Sequence, residues 1–167
     1  MAALVVEDGT AKTNSNTYIS QADADTYIEK HLYGTDFSGA TSGNKDIALM
    51  MATRLIDNYF KFEGRKVNDT QILEFPRFDI YDRSGFLVQS TTIPQALKDA
   101  TAELAKWLLA SDRTADAGGK GFANLQVGSL SMTPDTADKA TVLPDVVKKL
   151  LAPLGVPLGG GVVEITR

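Results

Sequence analysis

The chain has 167 residues, 43% of them hydrophobic, and a formal net charge of −4. That composition suits one globular domain able to bury roughly 70% of its unfolded surface, and it excludes wholesale disorder. Zero cysteines exclude a disulfide framework, a thiol nucleophile and any Cys-bound metal, and the acidic balance argues against broad electrostatic capture of nucleic acid.

Residues 1–8 read as a short strand or arm. Ala2–Val6 is too short for a signal-peptide core and meets Glu7-Asp8 at once. No run approaches the roughly 20 apolar residues that span a bilayer. The expectation is a chain that stays where it is made, with no membrane partner. Gly9–Asn16 is a polar connector. Ser20 with Asp23 is a variant capping box, and Ala24, Tyr27, Ile28 and Leu32 recur at helical spacing, which predicts a helix near 21–33. Gly34–Gly43 ends it. Asn44 can cap a second helix running to about Phe60, with Ile47, Met50, Met51, Leu55 and Tyr59 on one apolar face.

The stretch from Lys61 to Thr92 reads as one long inter-helix loop, a length usually tied to function. Pro76 pushes Phe75 toward an extended conformation, and Asp82-Arg83-Ser84-Gly85 has tight-turn chemistry. Seven of the thirteen aromatics lie between Tyr59 and Phe86. Aromatics interleaved with Lys61, Arg65, Lys66, Arg77 and Arg83 could form a stacking platform for single-stranded nucleic acid. Glu63, Asp69, Glu74, Asp79 and Asp82 cancel those charges, however, so core filling plus a protein interface is the favoured reading. Phe75, Arg77, Tyr81, Arg83 and Phe86 are its candidate contact residues.

Pro94 suits the first position of a third helix reaching about Ala110, with Leu97, Ala100, Leu104, Trp107 and Leu108 on one face and Trp107 as a core anchor. Ser111–Gly121 has loop composition, and Leu125 and Val127 alternate with polar neighbours over Asn124–Ser129, as in a short strand. After a further loop, Pro144 opens a helix bearing Val147, Leu150, Leu151 and Leu154 on one face. Residues 155–161 read as a glycine-rich hinge and 162–167 as a β-prone arm. Val162, Val163 and Ile165 either pair back onto the chain's own sheet or add as a strand to a partner.

No constellation points to catalysis. Asp23, Asp25 and Glu29, or Asp79 and Asp82, could be read as acid/base pairs, but spacing alone shows no cleft and surface carboxylates are the favoured reading; His31 has no second histidine at ligand spacing, and Gly118-Gly119-Lys120-Gly121 lacks Walker spacing. The expected fold is mainly α: a small bundle of about four helices with a long inter-helix loop and short accessory strands. It forms one domain over residues 1–154, followed by the 155–167 hinge and arm.

The order of Val5-Val6-Glu7-Asp8-Gly9-Thr10, Asn16-Thr17-Tyr18-Ile19-Ser20, Ala22-Asp23-Ala24-Asp25, Ala52-Thr53-Arg54-Leu55-Ile56-Asp57, Glu74-Phe75-Pro76-Arg77 and Ile93-Pro94-Gln95-Ala96-Leu97-Lys98-Asp99-Ala100 resembles the small head–tail connector (adaptor) proteins of tailed bacteriophages. That group often carries the label "DnaT-like single-stranded-DNA-binding". The resemblance implies a structural virion protein, made in the host bacterial cytoplasm and placed at the head–tail junction. It implies a twelve-subunit homo-oligomeric ring beneath the portal, with portal and tail or neck proteins as partners and DNA only passing through the channel. It implies no catalysis and no cofactor. The alternative is a DnaT-like single-stranded-DNA-binding protein.

Overall fold

The computed structural model describes residues 3–115, 125–127, 130–132 and 141–158. In chain order the elements are α1 (Gln21–Ile28), α2 (Thr35–Ser38), α3 (Ser42–Tyr59), β1 (Phe60–Phe62), β2 (Arg65–Lys66), β3 (Arg77–Phe78), β4 (Ile80–Tyr81), β5 (Leu87–Val88), α4 (Gln95–Ala110), β6 (Leu125–Val127), β7 (Leu130–Met132), α5 (Asp145–Leu151) and β8 (Gly155–Pro157). No helix among the described residues is long and apolar enough to cross a membrane.

Helix α4 is the axis. Leu97, Ala100, Thr101, Leu104 and Ala105 are wholly buried, and α1, α2, α3 and α5 all pack on this helix. Ser20 caps α1 by accepting from the Asp23 amide at 3.1 Å, which satisfies one of the free N–H groups of the first turn. The helix nevertheless stops at Ile28, short of the expected 33. Buried Gly34 comes so close to Ile28 that an added Cβ would lie 2.6 Å from its Cγ2. The chain turns there, α2 buries Phe37 completely, and Leu32 and Tyr33 are left 83% and 76% exposed. Thr41, not Asn44, caps α3, accepting from the Asn44 amide. The buried stripe of α3 is Ala48, Leu49, Ala52, Leu55 and Ile56, so the Ile47–Met50–Met51 face sits at the edge of the core.

The expected mainly-α bundle is corrected. Helices make up 40% and strands 12%, and the described residues hold five helices and small antiparallel sheets, so the architecture is mixed α/β. The physical reason lies largely in residues 60–88. What reads as one loop is folded by short ladders, β2 against β3 and β4 against β5. Strand β1 pairs across the whole sequence with β8, in the register Phe60 to Pro157, Lys61 to Val156 and Phe62 to Gly155. Strand β8 thus takes the first residues of the segment read from sequence as a hinge, and Leu158 adds a backbone bond to the Tyr59 carbonyl at 2.8 Å. Strands β6 and β7 pair antiparallel with each other.

Aromatic side chains pin this region to the helices. Phe75 sits edge-on to Tyr18 at 6.4 Å and to Phe62 at 4.9 Å, and Phe60 lies 5.1 Å from Phe62. All four are at most 5% exposed. Burying each contributes about 1.5–3 kcal/mol, more than a solvated loop of this length could hold together.

Candidate nucleic-acid interface

The turn after α1, helix α2, the C-terminal half of α4 and the start of α5 enclose a cleft of about 390 Å³. Its walls carry Tyr33 and Trp107, and its floor is a buried charge cluster. Glu103 is 2% exposed. One of its carboxylate oxygens accepts from Lys106 Nζ at 2.6 Å and from Trp107 Nε1 at 3.1 Å. The spacing is helical: Lys106 and Trp107 follow Glu103 by three and four residues, where side chains on a helix meet. His31 Nε2 closes the cluster, 3.2 Å from both Lys106 Nζ and the other Glu103 oxygen. Burial first, then the Glu103 and Asp99 carboxylates, push the nearby Tyr27 hydroxyl up to about 12, so it stays protonated.

Trp107 was expected as a core anchor, but it is 38% exposed. Its ring is held rather than sunk: the indole N–H is tied to Glu103, and the Arg113 guanidinium stands 5.1 Å from the ring centre. Arg113 is itself fixed by donating to the Thr141 carbonyl at 2.6 Å. An orientated aromatic face beside a guanidinium is the arrangement on which a nucleobase stacks.

From the cleft a line of exposed groups continues along α5. Val146 lines the cleft, and Lys149, three residues on, is its surface neighbour. The Arg83 guanidinium then reaches the Lys149 carbonyl at 3.3 Å, bringing the β4–β5 hairpin tip to α5. At that tip Asp82 accepts from the Ser84 and Phe86 amides, which fixes the turn. Tyr81, Phe86 and Leu87 are 53%, 72% and 60% exposed.

Of the contact residues expected from sequence, Tyr81, Arg83 and Phe86 therefore share one exposed hairpin. Phe75 does not join them: at 1% exposure it is core and offers a partner no surface. Arg77 points inward as well. Its guanidinium bonds Glu74 at 2.7 Å and the Glu63 and Gly64 carbonyls, tying β3 to the turn after β1. Val162, Val163 and Ile165 lie outside the described residues, as do Gly118, Gly119 and Gly121.

Sequence reasoning missed one buried and one half-buried carboxylate. Glu7 is 1% exposed and accepts from the amides of Gly9, Ala11 and Lys12 and from the Ser15 hydroxyl, all within 3.0 Å. It organises the whole N-terminal connector. Asp57 accepts from the Tyr18 hydroxyl at 2.6 Å and from the Glu74 amide at 3.1 Å, and burial pushes its carboxyl up to about 7. The only sequence signal for either was an acid beside an apolar run. The Glu103–Lys106–Trp107 spacing was legible, but the apolar stripe of α4 absorbed Trp107.

A family model described as "Putative DnaT-like ssDNA binding protein" matches residues 2–167. Neither curated proteins nor solved structures give a match.

Proposed function

We propose a role in contacting single-stranded DNA, from the premise that the chain belongs to that DnaT-like ssDNA-binding family. The observation that carries the reading is the partly exposed Trp107 ring with the Arg113 guanidinium over it, and Tyr33 on the same cleft. One or two bases stack there, and the backbone follows α5 toward Lys149 and Arg83. Trp107 is the only tryptophan, so quenching of intrinsic fluorescence by an oligothymidylate at low salt reports the contact directly. Stacking contributes about 1–3 kcal/mol per base. Trp107→Ala should therefore weaken binding of a dye-labelled oligonucleotide roughly tenfold. Because the ring is partly exposed, the melting temperature should fall far less than for a core tryptophan. Binding unaltered by Trp107→Ala, or no quenching even at low salt, would sink the reading.

A second reading is favoured by the β4–β5 hairpin. Tyr81, Phe86 and Leu87 form an exposed apolar tip, a surface of the kind that marks protein contacts. In this reading the chain is the head-to-tail adaptor of a tailed bacteriophage, non-catalytic and without a cofactor. It sits in a homo-oligomeric ring between the portal and a tail or neck protein, with DNA passing through. A ring needs heterologous contacts, and a hairpin tip meeting a different face of the next copy supplies one. Negative-stain imaging with a portal protein at micromolar concentration separates the readings: rings on the portal support the adaptor, and free monomers reject it.

A further inference from the structure

Register sorts the β4–β5 hairpin into two faces. Ile80 pairs with Val88 and Tyr81 with Leu87. Successive strand residues point to opposite sides, so buried Ile80 holds the hairpin to the core while Tyr81 and Leu87 turn outward, with exposed Phe86 beside them. The tip stands clear of the described residues: a Cβ added to Gly85 would meet no atom within 4 Å. One oxygen of Asp82 accepts from the Ser84 and Phe86 amides, and the other has no partner among the described residues.

A second apolar feature lies along α3. An open groove of about 520 Å³ carries Ile47, Met50, Met51 and Arg54 on one wall, with Ile72 and Leu73 across from them. The first four stand at i, i+3, i+4 and i+7, on one face of the helix. Ile47 and Ile72 are exposed on the rims, and methionines make such a surface adaptable to what is laid on it. Arg54 is exposed and has no ion-pair partner among the described residues.

We propose that this groove is the seat of the β4–β5 hairpin tip of a second copy of the chain. The inference rests on the adaptor reading and deepens it by naming the face that the tip meets. The occupant comes from another molecule because each tip is tied to its own α5, where Arg83 donates to the Lys149 carbonyl at 3.3 Å. Tip and groove are different patches, so the contact is heterologous and repeats from copy to copy. The sizes agree: a two-stranded tip, its strands about 4.8 Å apart, fits within the roughly 10 Å of helix between Ile47 and Arg54. The chemistry agrees as well. Tyr81, Phe86 and Leu87 meet Met50, Met51 and Ile72, and the second oxygen of Asp82 meets Arg54. Each aromatic buries about 150–250 Å², which makes a contact below the standard interface size, so association depends on concentration.

Sedimentation velocity of the full chain, followed from micromolar to millimolar concentration, tests this. Wild type should grow beyond the monomer, while Phe86→Ser (tip lost) and Ile72→Ser (groove lost) should each stay monomeric with melting temperatures close to wild type. Mixed together, the two variants should form a one-to-one dimer and stop there, because one supplies an intact groove and the other an intact tip. Should Ile72→Ser disturb folding by circular dichroism, Ile47→Ser on the opposite rim replaces it. A wild type that stays monomeric throughout would overturn the proposal, as would a mixture that gives no dimer. Rings on the portal formed by the Ile72→Ser chain would keep the adaptor reading and reject this seat.

Discussion

Single carboxylates carry much of the local order, and their cost of removal follows from what they hold. Glu7→Ala would leave three buried or half-buried amides and a hydroxyl without their acceptor. An orphaned buried donor costs about 1–3 kcal/mol, and some of these would regain water. A loss of about 3–5 kcal/mol is expected, read from the urea midpoint; a loss under about 1 kcal/mol would mean the connector is held by other contacts. Asp57 predicts a pH dependence. Its carboxyl is held up at about 7 against an ordinary 3.8, so the folded state binds the proton more tightly than the unfolded chain. The contribution is complete below about pH 4 and is lost as pH rises through 7. Asp8, held near 2 chiefly by Lys12 and Thr10, titrates below that window. Melting temperature should therefore decline between pH 5 and 8, and Asp57→Asn should flatten the decline. An equal slope in wild type and variant would assign it to another group.

At the level of elements, the pairing of β1 with β8 decides whether residues 60–62 and 155–157 belong to one sheet. Gly155 permits it: a Cβ there would collide with the Lys61 carbonyl. Gly155→Ala should open this ladder, costing about 2 kcal/mol or more, and the Lys61 and Glu63 amides should lose hydrogen-exchange protection while those of α4 keep theirs. Loss of protection throughout would show instead that the ladder and the helices unfold as one unit. The sheet also marks where sequence reading stops. Helices α3 and α4 were legible because 18 and 16 residues repeat a helical period several times. Strands β2 to β5 have two residues each, too few to show any period, and β8 finds its partner some 95 residues away. Helix α1 was read too long because Leu32 continues the apolar spacing, while the close approach at Gly34 that ends it is a tertiary fact. The cleft was half legible. Its residues stood at i, i+3 and i+4 on α4, but nothing in the sequence showed that Tyr33 comes to the cleft or Arg113 to the Trp107 ring.

For the whole molecule the decisive quantity is charge. With 21 acidic and 17 basic residues, this chain does not present the broad positive field on which sequence-independent capture depends. Any DNA contact must rest on a few placed cations, and the line from the cleft to the hairpin offers three: Arg113, Lys149 and Arg83. Each phosphate neutralised on a single strand contributes roughly 0.7 to the slope of log K against log salt. A slope of roughly −2 follows, obtained from oligonucleotide titrations across a range of chloride concentrations. Neutralising Lys149 and Arg83 together should reduce the slope to roughly −0.7, the share left to Arg113, while Trp107 quenching persists at reduced affinity, because stacking does not depend on counterion release. A much steeper slope would require cations outside this line and would move the interface elsewhere. A flat slope in the wild-type protein, with no quenching, would leave the exposed hairpin as the better-supported contact surface and turn the choice toward the adaptor.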